Sequence, residues 1–134
     1  MRKVLVTIVA AIMCCMMFAG CGPKTLESVL NKADNKKTMD EQCESIKKIY
    51  SSYYSDIRWE AKDNDLKFIY VFAQDFDDDQ IATMKSSLEG SASSLESEIA
   101  SLKDSCEKDL GVRPDSISYS YLTKSGKEIV TISK

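Results

Sequence analysis

Nine apolar residues, Ile81, Met84, Leu88, Ala92, Leu95, Ile99, Leu102, Cys106 and Leu110, recur along one stretch of this chain with a mean spacing of about 3.6 residues. That is the period of a straight α-helix and not the 3.5 of a supercoiled pair, so the stripe calls for a flat apolar partner, which a β-sheet provides. Asp75, Asp77, Asp78 and Asp79 precede it, where negative charge complements the helix dipole. Gly111 stands where a left-handed C-terminal cap belongs, and Pro114 forbids continuation. A helix of roughly 30 residues is ~45–50 Å long, against ~25–30 Å for a strand of about eight. It is therefore expected to overhang its sheet or to bend near Gly90, in the serine-rich middle.

The sheet is written on both sides of that helix. From Asp56 the period is two, with Ile57, Trp59 and Ala61 facing one way and Asp56, Arg58 and Glu60 the other. Asp63-Asn64-Asp65 supplies turn chemistry, and Leu66 to Ala73 reads as a second strand. Ser116 to Leu122 alternates again, Thr123-Lys124-Ser125-Gly126 turns the chain, and Glu128 to Ser133 closes a second hairpin. Upstream, Thr38-Met39-Asp40-Glu41 fits a capping box and predicts a helix start at Thr38, with Met39, Cys43, Ile46 and Tyr50 as its stripe. A shift of 60 residues carries Ile57 onto Ile117, Trp59 onto Tyr119, Tyr70 onto Val130, Ile46 onto Cys106 and Tyr50 onto Leu110, so 38–74 and 98–134 read as an internal repeat. The expected fold is α+β: two α-β-β units forming a four-stranded antiparallel sheet, with two helices packed on one face.

Residues 1–20 do not belong to that domain. Arg2 and Lys3, an apolar run from Val4 to Phe18, and Phe18-Ala19-Gly20-Cys21 have the layout of a secretory signal, too short to span a bilayer. The last four residues resemble a lipobox, with Phe18 in place of leucine. The resemblance implies cleavage before Cys21 and a diacylglycerol thioether on Cys21, with acylation of the new amino group, palmitate being the usual chain. Two acyl anchors hold a protein to a membrane where one binds only marginally. The mature chain then runs from Cys21 to Lys134, 114 residues, of which 21–37 form a lipidated tether with a short helical segment and 38–134 a single domain. Losing Arg2 and Lys3 moves the formal charge from −3 to −5. A mildly acidic chain without a basic patch argues against nucleic acid and against electrostatic adhesion to lipid, so the membrane contact is assigned to the anchor.

The chain has no histidine, which excludes Ser-His-Asp triads, imidazole general bases and His-ligated zinc. Asp75-Phe76-Asp77-Asp78-Asp79 mimics the start of a calcium loop, but Gln80 and Ser86 stand where the glycine and bidentate glutamate belong. No metal or cofactor is expected. Of five cysteines, Cys14 and Cys15 leave with the signal and Cys21 takes the lipid; Cys43 and Cys106 remain, a candidate disulfide if the start of the first helix meets the end of the second. Asp56, Glu60 and Asp63 invite a carboxylate hydrolase, yet alternation puts Asp56 and Glu60 on a solvated face. Among the aromatic residues, Trp59, Tyr70, Tyr119 and Tyr121 share the inward face, whereas Tyr53 and Tyr54 lie in a linker and are the candidate partner contact.

Those features together resemble a family of small bacterial surface lipoproteins of unknown function, usually from Gram-positive species. The resemblance rests on the lipobox, a short helix before a hairpin, a long Ser/Glu/Lys-rich helix, and the closing run Tyr121-Leu122-Thr123-Lys124-Ser125-Gly126-Lys127-Glu128-Ile129. It implies an address and a fold and brings no catalytic residues. The expected role is a non-enzymatic, membrane-anchored extracytoplasmic domain that binds a protein, peptide or envelope ligand. The alternatives are a lipid or peptide carrier or inhibitor and, less favoured, the carboxylate hydrolase.

Overall fold

A computed structural model of the chain describes residues 25–134. The expected leader and Cys21 lie outside the described residues. Among these, no helix is long and apolar enough to cross a membrane.

Helix α1 (Leu26–Leu30) opens on a capping box: Thr25 Oγ1 accepts from the Ser28 N–H at 3.1 Å and Ser28 Oγ accepts from the Thr25 N–H at 3.2 Å. Helix α2 (Ala33–Ile49) begins at Ala33 and not at Thr38. The Thr38 hydroxyl donates to the Asp34 carbonyl inside the helix at 2.9 Å, so the expected capping box is not used. Lys32, the residue just before α2, gives no side-chain cap; instead the buried Asn35 amide donates to the Val29 carbonyl at 2.7 Å and locks α2 onto α1. A tertiary contact thus sets this helix start.

Strands β1 (Tyr54–Lys62) and β2 (Asp65–Phe72) form the first hairpin, with Asp63 in a positive-φ turn conformation, φ 51°. The anticipated long helix is two helices, α3 (Asp78–Gly90) and α4 (Ala92–Leu110), separated at Ser91. Asp77 and Gln80 cap α3 reciprocally, and Gly111 ends α4 at φ 71°. Strands β3 (Ser116–Leu122) and β4 (Glu128–Ser133) complete the second hairpin.

The sheet order is β1-β2-β3-β4, and it is mixed, which corrects the expectation of a wholly antiparallel sheet. The hairpins are antiparallel, but β2 and β3 run parallel, from Asp65 beside Ser116 to Val71 beside Leu122. The cause is the connection. After β2 the helical segment traverses the molecule once in net, returning the chain to the end where β2 began, as a parallel pair demands. Inward positions correspond in both units, yet no rotation carries β1-β2 onto β3-β4 in the same order without turning the sheet over.

One core joins the buried residues of all four helices to the inward face of the sheet. Two aromatic stacks sit directly across the parallel pair, Phe68 on Tyr119 with centroids 5.5 Å apart and Tyr70 on Tyr121 at 5.2 Å. Trp59 is only partly buried; its indole N–H donates to Asp40 Oδ1 at 2.8 Å, pinning β1 to α2.

Candidate functional site

The domain has two poles, and backbone hydrogen bonds define the first. Glu27 donates its N–H to the Asp63 carbonyl at 2.8 Å, Asp63 N–H returns to Glu27 Oε2 at 2.7 Å, and Leu26 N–H reaches Asn64 Oδ1 at 3.0 Å. Asp115 N–H, just before β3, donates to the Asn64 carbonyl at 2.9 Å. The first described residues, the β1-β2 turn and the entry to β3 therefore share one end. From there α2 runs its 17 residues antiparallel to β1, about 25 Å, to the opposite end.

At that far pole two large apolar side chains face solvent: Ile49 is 73% exposed and Tyr53 47%. Ile49 falls off the Met39, Cys43, Ile46 and Tyr50 stripe, the one signal in the sequence that marks it. Tyr53 is rigidly presented, because its N–H donates to the Tyr50 carbonyl at 2.9 Å and its carbonyl accepts from Ala73 at 2.8 Å. Lys47 contacts Glu44 at 3.3 Å and Asp56 at 3.8 Å, and Arg58 contacts Asp56 at 2.9 Å. The result is a small amphipathic surface on an ordered backbone.

Tyr54, the other candidate contact, is corrected to the core. It is 3% exposed, lies 5.0 Å from the Phe72 ring and 5.5 Å from Tyr70, and burial pushes its hydroxyl well above the usual range. Tyr70, Tyr119 and Tyr121 are core residues, as alternation requires.

Cys43 and Cys106 are both buried free thiols, so the candidate disulfide is not formed. The physical reason is the earlier helix start. Cys43 lies about 15 Å along α2 from Ala33, while Cys106 lies about 6 Å from the end of α4 at that same pole, so the two sit at different levels. Burial, with Asp40, Asp56 and Glu44 adding repulsion, pushes the Cys43 thiol up to about 12. Burial and Asp109 push Cys106 to about 12 as well. Thiols held protonated in this way are poor nucleophiles.

Among the described residues no cluster of cysteine and carboxylate groups could hold a metal ion. The acidic run after β2 is engaged otherwise. The Ser125 side chain and then its N–H, at 2.8 Å, hold the Asp75 carboxyl below the usual range, Asp77 caps α3, and Asp78 pairs with Lys127 at 2.8 Å. These contacts fasten the β3-β4 turn to the start of α3.

Fold and surface together define a class: a small α+β module, with helices packed on one face of a mixed four-stranded sheet and two exposed apolar side chains at one end. Residues 26–133 match the profile of the domain of unknown function DUF4854, and the chain belongs to that family. No curated protein and no solved structure gives a significant match.

Proposed function

We propose that this chain is an extracytoplasmic lipoprotein, held to the cell membrane by the diacylglycerol on Cys21, whose domain acts without catalysis by binding a protein, peptide or envelope ligand through the pole bearing Ile49 and Tyr53. The observation that carries the reading is the exposure of these two side chains on a hydrogen-bonded backbone, about 25 Å along α2 from the end at which the tether enters. A lipid on Cys21 lies four residues ahead of Thr25, so it holds the near pole against the bilayer and turns the far pole outward. Exposed aromatic and aliphatic anchors on an ordered backbone are the features of a contact site. The lack of histidine and the protonated thiols support a role without chemistry. The helix–sheet interface is filled by Phe68, Tyr70 and Tyr119, which favours a surface contact over the carrier alternative.

The test is photocrosslinking in native cells with benzoylphenylalanine at position 53, and at exposed position 31 near the tether pole as control. Discrete adducts from position 53 and none from 31 are expected. Equal yields at both positions, or none at 53, would contradict the reading.

A further inference from the structure

Three polar atoms in the helix–sheet interface are buried and find no hydrogen-bond partner among the described residues: Tyr70 Oη, Tyr119 Oη and Glu98 Oε2. Tyr70 and Tyr119 are 1% and 0% exposed, on the two inner strands, with ring centroids 6.3 Å apart. Glu98 follows Leu95 by one helical turn and precedes Leu102 by another, so α4 aims it at the margin of its buried stripe. Its carboxylate lies within electrostatic reach of the Tyr119 and Tyr121 hydroxyls, and burial pushes its carboxyl above the usual range. Native interiors rarely leave such atoms unpaired. The hydroxyls are fully enclosed, so a large ligand has no approach, whereas a water molecule needs only two to four polar partners.

We propose that Tyr119 and Glu98 form an internal water-binding site, in which one ordered water molecule accepts the Tyr119 hydroxyl proton and donates to Glu98 Oε2. This joins β3 to α4 by a polar link at the margin of the core. It does not depend on the function of the far pole.

The experiment compares the full chain in detergent micelles with Tyr119→Phe, Glu98→Met and the double variant. Removing either partner of the water strands the other, so each single variant is expected to melt roughly 4–8 °C lower. The double variant should lose less than the sum, because both groups serve the same water. Wild-type NMR should also show cross-relaxation between bound water and the Tyr119 hydroxyl proton. A melting temperature unchanged or raised in either single variant, strictly additive losses, or no water cross-relaxation overturns the site. Should a variant fail to fold, the wild-type NMR result decides alone.

Discussion

Tyr53 leaves its ring in solvent while Tyr54, one residue on, enters the core against Phe72 and Tyr70. Strict alternation back from Ile57 puts Ser55 inward and Tyr54 outward; a β-bulge between Tyr54 and Asp56 reverses the phase. An irregularity of one residue leaves no mark in apolar periodicity, which is why the burial of Tyr54 was not legible. Truncating Tyr54 to alanine should destabilise the domain by about 3–5 kcal/mol, and truncating Tyr53 by no more than ~0.5 kcal/mol, as read by urea unfolding. Cys43 and Cys106 make stability depend on pH. With both thiols at about 12 in the folded chain and near ~8.5 when unfolded, the unfolded state loses protons first. Their contribution to stability is complete below the unfolded value and disappears as pH climbs through about 12. Urea midpoints should accordingly fall steadily above pH ~9, and Cys43→Ser with Cys106→Ser should flatten that fall. A chromogenic disulfide reagent at pH 8 should leave both thiols unmodified until urea is added.

Among the elements, α4 is the most completely legible: its stripe, Gly111 and Pro114 mark its face and its end. Gly111 has positive φ, and an added Cβ would meet nothing within 4 Å. Gly111→Ala should therefore cost only the backbone term, about 1 kcal/mol. Asp77→Ala removes the side-chain cap of α3 and should cost about 1 kcal/mol by thermal unfolding. The expected bend near Gly90 is a full stop at Ser91, yet Leu88 and Leu95 stay buried on either side, so the apolar repeat passes through the break undisturbed. Helix α2 was less legible, because its start depends on the Asn35 to Val29 contact with α1 and not on a cap of its own. That shift also separates the two cysteines.

For the molecule as a whole, sequence pattern identified four strands, their hairpin pairing and a helical layer on one face. The parallel central pair was implicit in one net helical traverse between hairpins, but strand polarity is a property of connections and has no local period to reveal it. Two poles follow from this path, one holding the first described residues and one presenting Ile49 and Tyr53. The lipid tether we propose would give that polarity its meaning, and mass spectrometry of the protein extracted from native membranes tests it most directly. The expected result is an N-terminal peptide that begins at Cys21 and carries the mass of a diacylglycerol thioether. An N-terminal peptide beginning at Met1, or an unmodified Cys21, would contradict it.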